Sequence, residues 1–311
     1  MEYNRPMTKA RWLGPAALLA MVVFVVAVVW IWPPAEPSYK GKALHYWLQG
    51  YTRIVPPSFN SAPRPTESEA DDAIRGMGTN AIPALLRILV YRESPLIRRL
   101  LPIAQRLHVM KVQYDPPWSR NYEAVNAFRK LVEEAAGATP ELIQMYDTHP
   151  DSLSRQYIVT VLGLIGPKAN EAVSVLLRAM TSTNYGIRIN AAGALGKIHS
   201  DPDRVVPALM LCLNDGNPIL QRNAIWSLTQ FGRDAQPAVS ALLQFLENAK
   251  YNPATAPVPQ INNWAFELVS DPGAFGPASS DSPSVVTDAA AAALWVIDPA
   301  AAAQGQIRRP E

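Results

Sequence analysis

The stretch Arg155-Gln-Tyr-Ile-Val-Thr-Val-Leu162-Gly-Leu-Ile165-Gly166 returns as Arg188-Ile-Asn-Ala-Ala-Gly-Ala-Leu195-Gly-Lys-Ile198-His199. It returns again as Gln221-Arg-Asn-Ala-Ile-Trp-Ser-Leu228-Thr-Gln-Phe231-Gly232, each time after 33 residues. The residues after each copy keep the same register: Leu176, Leu209 and Leu242 are 33 apart, as are Met180, Leu213 and Leu246. A fixed period of this size marks a solenoid, in which no unit buries its apolar face alone and stacked neighbours share one core.

Each unit reads as two helices. In the first, Ile158, Leu162 and Ile165 recur at helical spacing, as do Ala191, Leu195 and Ile198, and Ile225, Leu228 and Phe231. Gly166 and Gly232 follow the last apolar residue, where a glycine takes the left-handed conformation that ends a helix, and Pro167 cannot continue one. The second helix carries Val173, Leu176, Leu177 and Met180; Val206, Leu209, Met210 and Leu213; and Val239, Leu242, Leu243 and Leu246. Short connections make the paired helices antiparallel.

Upstream the pattern weakens. Ala124, Phe128, Leu131 and Leu142 match Ala224, Leu228, Phe231 and Leu242 with one residue of slippage, and residues 73–89 form a poorer copy broken at Gly78. Between them, residues 95–112 read as an extra apolar helix. Downstream, residues 250–284 contain Pro253, Pro257, Pro259, Pro272, Pro277 and Pro283, too many for a regular helix pair, so this is a long loop insertion. Within it Trp264 and Phe266 form an apolar turn that either folds back on the solenoid or meets a partner. The alanine-rich segment 285–303 reads as a capping helix and 304–311 as a tail.

The ankyrin signature Thr-Pro-Leu-His is absent, as is the Trp, Gly and Tyr pattern of tetratricopeptide units. Gly232-Arg-Asp-Ala235-Gln-Pro237-Ala-Val239-Ser-Ala-Leu242-Leu243 resembles the inter-helix turn of the short bacterial HEAT-like repeat of bilin-lyase type, and Gly166-Pro-Lys-Ala169 is similar to it. The resemblance runs over residues 73–299. It implies an all-α chain: a right-handed alpha-alpha superhelix of HEAT or armadillo type, with repeats over 67–249. Tyr39-Lys-Gly-Lys-Ala-Leu-His-Tyr-Trp47-Leu48 and Gly78-Thr-Asn-Ala-Ile-Pro83-Ala-Leu-Leu86 look like stretches of membrane-anchored bacterial HEAT-repeat proteins of unassigned role.

Residues 13–32 are an uncharged run of twenty, which at about 1.5 Å per residue spans roughly the 30 Å hydrocarbon core. A signal peptide has a shorter apolar region and a small-residue cleavage site, whereas this run closes on Trp30 and Trp32, which suit a membrane interface. The expectation is a single transmembrane helix, with residues 1–12 cytoplasmic and a linker with one short helix over 33–66. Arg5, Lys9 and Arg11 precede the run and Glu36 is the first charge after it, which favours an inward N-terminus and an outward repeat domain. In a bacterium that is a single-pass protein of the cytoplasmic membrane with its domain in the periplasm.

Of 28 basic and 26 acidic residues, only Arg5, Lys9, Arg11 and Glu2 precede the apolar run, so the remainder is formally neutral and no nucleic-acid partner is expected. Locally, Arg87, Arg92, Arg98, Arg99, Arg106 and Lys111 face only Glu93. They form either a solvated helix face or a docking patch for an acidic partner or lipid headgroups. Glu67, Glu69, Asp71 and Asp72 suit a helix N-terminus. Cys212, the one cysteine, reads as a packed thiol.

Chemistry is hard to find. Hydroxylases built on HEAT-like repeats pair histidine with glutamate, but His45, His108, His149 and His199 precede Tyr46, Val109, Pro150 and Ser200, so no metal, cofactor or catalytic residue is expected. His149 and His199 read as surface or capping residues. Neither a phosphate loop nor a Gly-x-Ser-x-Gly motif is present. The family resemblance implies that second helices line the concave side, where Gln144, Arg178, Leu211 and Gln244 share one column. Leu211 is its apolar member, explained by partner contact or by lateral packing. Trp226 and Trp295 fall in helical stripes and are expected in the core. The chain therefore reads as a membrane-anchored scaffold for a protein partner, the alternative being a lyase-type enzyme with its site on the concave face or under the 250–284 loop.

Overall fold

Asp151, Asn184 and Asn217, again 33 residues apart, each open a helix by accepting hydrogen bonds from its first free backbone N–H groups. The Asp151 carboxylate takes the N–H of Ser154 at 2.9 Å, Asn184 Oδ1 that of Ile187 at 3.1 Å, and Asn217 Oδ1 that of Ile219 at 2.9 Å. These caps fix where three successive units begin. The structure is a computed structural model that describes residues 36–51, 64–92, 117–249 and 283–307. The apolar run 13–32, the extra helix expected within 95–112 and most of the 250–284 loop lie outside the described residues.

A two-stranded antiparallel hairpin comes first, β1 (Ser38–Tyr39) and β2 (Lys42–Ala43), followed by α1 (Leu44–Leu48). Helix pairs come next: α2 (Glu67–Met77) with α3 (Ile82–Leu89), α4 (Pro117–Lys130) with α5 (Thr139–Thr148), and α6 (Ser152–Ile165) with α7 (Val173–Ala179). The series continues with α8 (Tyr185–Ile198) and α9 (Pro202–Cys212), then α10 (Pro218–Phe231) and α11 (Val239–Asn248). It ends with α12 (Pro283–Ile297) and α13 (Pro299–Gln304). First helices α6, α8, α10 and α12 pack side by side, and each second helix also packs on the first helix of the next unit. The result is an all-α solenoid with one continuous core, from Leu44 to Ile307.

The last helix expected over 285–303 is divided at Asp298, whose carboxylate caps α13 through the N–H groups of Ala300 and Ala301, both at 3.0 Å. The turn glycines also differ from expectation. Gly166 and Gly232 have positive φ (69° and 51°) but extended ψ (−139° and −125°), and each leads into a 3-10 segment, Gly166–Ala172 and Gly232–Ala238. In the middle unit His199 and Asp201 take left-handed conformations instead, so α9 starts sooner at Pro202. Trp226 is half-buried rather than in the core, and Trp295 is half-buried against it.

Two devices set the spacing between units. The first is close approach. A Cβ on Gly163 would stand 2.8 Å from Ala194 Cβ and 2.9 Å from its Cα, and one on Gly196 would stand 2.4 Å from Ser227 Oγ. The second is a buried polar ladder: Asn190 Nδ2 donates to Thr160 Oγ1 (2.8 Å), Asn223 Nδ2 to the Ile189 carbonyl (3.2 Å) and Ser227 Oγ to the Ala192 carbonyl (2.8 Å). Each rung joins one first helix to its predecessor. Asn190 leaves its Oδ1 without a hydrogen-bond partner among the described residues, a cost of about 1–3 kcal/mol that the rest of the rung must offset.

A third column closes the other end of each unit. Asn121, Arg155, Arg188 and Gln221 occupy equivalent positions in α4, α6, α8 and α10, and each donates back to carbonyls near the end of the preceding second helix. Asn121 Nδ2 reaches Ile88 and Leu89 (2.8 Å each), Arg155 Nε reaches Tyr146 (3.1 Å), Arg188 Nη1 reaches Ser182 (3.0 Å) and Gln221 Nε2 reaches Asp215 (2.7 Å). Helices end with unsatisfied carbonyls and a negative partial charge, so an amide or guanidinium there satisfies both.

The close approach yields a direct prediction. Gly196→Ala gains up to about 1 kcal/mol of helix propensity but drives a methyl into Ser227. We expect a net loss of about 1–3 kcal/mol, read as a lower urea midpoint, while Gly137→Ala, in open space, leaves the midpoint nearly unchanged.

Candidate interaction face

The second helices bury one stripe and expose another. Leu142, Leu176, Leu209 and Leu242 are fully buried, and two residues further along each helix Gln144, Arg178, Leu211 and Gln244 are exposed. A helix turns about 100° per residue, so that offset puts the column on the far side from the core. Arg178 Nη2 donates to Asp147 Oδ1 of the preceding second helix at 2.8 Å. Both side chains are solvated, so this pair orders the surface more than it stabilises the fold.

Leu211 is 76% exposed. Lateral packing between units therefore does not account for it. One exposed leucine is not a patch by itself; its place in a polar row is what singles it out. The adjacent Cys212 is buried, its Sγ 3.6 Å from the Ala208 carbonyl, and burial followed by the nearby Asp215 charge pushes the thiol up to about 11. A thiol in that state is a packing group at neutral pH.

The sequence reading missed Tyr185, which is 58% exposed at the first position of α8. The Arg188 guanidinium lies 4.4 Å from its ring centre and also donates to Asp215 Oδ2 at 3.3 Å. Asp215 follows Leu211 by four residues, so a line of contacts runs from Tyr185 through Arg188 to the end of α9. An exposed aromatic directly after the Asn184 cap, three residues before an arginine, is the local signal that marks it.

Two residues of the expected basic patch, Arg87 and Arg92, are described. Arg87 is exposed on α3, but Arg92 is ion-paired to Asp151, the cap of α6, far outside the window in which only Glu93 was visible. Arg98, Arg99, Arg106 and Lys111 lie outside the described residues, as do Trp264 and Phe266. Of the acidic group, Glu69 forms a reciprocal capping box with Thr66, whereas Asp71 joins elements, accepting from Tyr51 Oη at 2.9 Å and Lys130 Nζ at 2.7 Å. Burial and that acceptor push the Tyr51 phenol far above its ordinary range.

Each described histidine has a local partner. His45 Nδ1 meets Glu36 at 2.8 Å, His149 Nδ1 meets the Met145 carbonyl at 3.0 Å at the end of α5, and His199 ends α8 against the Phe231 ring. Among the described residues no group of three or more His, Cys, Asp or Glu side chains stands together. Burial and the Arg129 charge lower Lys197 to about 8, on a first helix away from the column. The one described run long and apolar enough for a membrane span, Ser152–Ala179, is two core helices, α6 and α7, joined by a 3-10 turn.

Asp151 sits at about 2: burial raises it, but hydrogen bonds from Arg92 and Ser154 and the Arg92 charge lower it further. Its folded value lies below the unfolded one, so its contribution is complete above about pH 4 and lost as pH falls through about 2. With the exposed Arg92 discounted this is on the order of 1–2 kcal/mol. We expect Asp151→Asn, which keeps a capping oxygen, to flatten the fall in thermal midpoint between pH 4 and pH 2.

The HEAT repeats family matches residues 139–215, which run from the start of α5 to the turn after α9. No curated protein matches the chain. The matched residues hold three of the four column positions, Gln144, Arg178 and Leu211. Helix pairs stacked at a constant register, together with that match, support a HEAT-repeat protein.

Proposed function

We propose that this chain is a membrane-anchored HEAT-repeat scaffold that binds a protein partner along its second-helix face. HEAT repeats commonly serve as protein-interaction scaffolds, a fold-level argument. The observation that carries the face is the exposed row Gln144, Arg178, Leu211 and Gln244 with a leucine at 76% exposure inside it. Leu211 supplies the apolar contact, and the flanking amides and Arg178 supply a polar rim. Trp264 and Phe266, from the 250–284 insertion, are the second contact in this reading. No catalytic step is assigned to the chain.

The anchor is residues 13–32, an apolar length matched to a bilayer. The charge bias of Arg5, Lys9 and Arg11 then puts the N-terminus inside and the repeats outside the cytoplasmic membrane. Alkaline phosphatase fused after Glu311 is expected to be active in a bacterial host; an inactive, stably expressed fusion overturns the orientation.

A photo-crosslinking amino acid at position 211 tests the face. We expect discrete adducts in intact membranes, reduced at least about tenfold for the neighbouring change Gln244→Glu combined with Arg178→Glu, and none from the same probe at Gln230 on first helix α10. Equal adducts from positions 211 and 230 would sink the assignment.

A further inference from the structure

We propose that the β1–β2 hairpin is a docking element for anionic phospholipid headgroups, a surface that rests on the membrane-anchor reading and gives it a second point of attachment. The hairpin turn is Lys40-Gly41, with φ of 47° and 72°. A two-residue turn of this kind needs positive φ at both positions, and Asn, Asp or Gly is the usual first residue. Lysine gains nothing from the conformation and is disfavoured there. Its ammonium is what the substitution retains, exposed at the tip beside Lys42.

The leucine and aromatic side chains of the segment are packed into the core or against it, and these two ammonium groups lie outside it over the faces of two tyrosines. Leu44, Trp47 and Leu48 are buried, and the Trp47 indole N–H donates to the Tyr39 and Lys42 carbonyls at 3.2 and 3.3 Å, which holds the hairpin on α1. Tyr39 fills the space left by Gly76 of α2, where a Cβ would stand 2.4 Å from the ring. The hairpin is thus rigidly seated on the first helix pair. Lys40 Nζ lies 5.2 Å from the Tyr39 ring centre and Lys42 Nζ 5.1 Å from that of Tyr46. Amphipathic tyrosines carrying lysines are the side-chain set that suits a headgroup layer.

The facing charges are few. Glu36 pairs with His45 at 2.8 Å, and Glu69, which feels Lys40, is committed to its capping box with Thr66. Position along the chain supplies the occupant. Lys40 lies eight residues after Trp32, the end of the apolar run, and eight residues reach at most about 28 Å. The interfacial layer itself adds about 5–8 Å beyond the hydrocarbon, so the tip is confined near the lipid surface at a high effective concentration. Each lysine near an anionic surface adds roughly a fivefold preference.

The test uses the full chain in phosphatidylcholine vesicles with or without about one-third phosphatidylglycerol. A fluorophore on Ser38→Cys, an exposed position, transfers energy to headgroup-labelled acceptor lipid; the native Cys212 is buried and its raised thiol reacts poorly. We expect transfer to rise in the anionic vesicles, and the rise to vanish with Lys40→Gln plus Lys42→Gln or at about 1 M salt. Protein that floats with the vesicles after alkaline washing but shows the same transfer in both compositions overturns the hairpin proposal and leaves the anchor standing. Protein that does not float overturns the anchor reading, and the hairpin proposal with it. Far-ultraviolet circular dichroism of the double variant, unchanged from the parent, excludes unfolding as the cause of a lost signal.

Discussion

The contact on which the rest depends is the close approach of successive first helices. Gly163 against Ala194 and Gly196 against Ser227 leave no room for a side chain on the glycine side. Backbones that approach this closely put Asn190, Asn223 and Ser227 within hydrogen-bonding reach of the preceding helix, so each polar rung exists only because the glycines permit it. Burying such groups without partners costs a few kcal/mol each. The ladder therefore specifies register as well as stability, because a sheared stack would orphan several of these groups at once.

The second-helix face is a consequence of that stack. Once the first helices fix the repeat, each second helix packs on the first helix of the next unit, and the leucine column is buried. The opposite column is left to solvent. Gln144, Arg178, Leu211 and Gln244 can therefore change without disturbing the core. The N-terminal module continues the core with Leu44, Trp47 and Leu48 and leaves Lys40 and Lys42 exposed.

Charges in this fold act mainly between units. Arg92 meets Asp151, Lys130 meets Asp71, and Arg188 meets Asp215, all pairs distant in sequence. Where such a pair also serves a helix terminus, as Asp151 does, one carboxylate offsets a helix dipole and a guanidinium together. With its carboxyl held at about 2, that concentration of roles makes Asp151 a junction that persists until strong acid protonates it. The same arrangement explains why a count of charges within a short window misjudged Arg92.

The sequence by itself determined the period, the helix pairs and most of the core, because an apolar stripe repeated at 33 residues is buried only when successive units stack. The cap column Asp151, Asn184 and Asn217 and the donor column Arg155, Arg188 and Gln221 were equally regular in the sequence. The role of the donor column required knowing which carbonyls end the preceding second helix. Tertiary structure alone decided that Leu211 is solvated, that Tyr185 is exposed at the start of α8, that Trp226 is only half-buried and that Arg92 is bound to Asp151. Periodicity reports which face of a helix a residue occupies, whereas exposure and pairing depend on what a separate helix brings to that face.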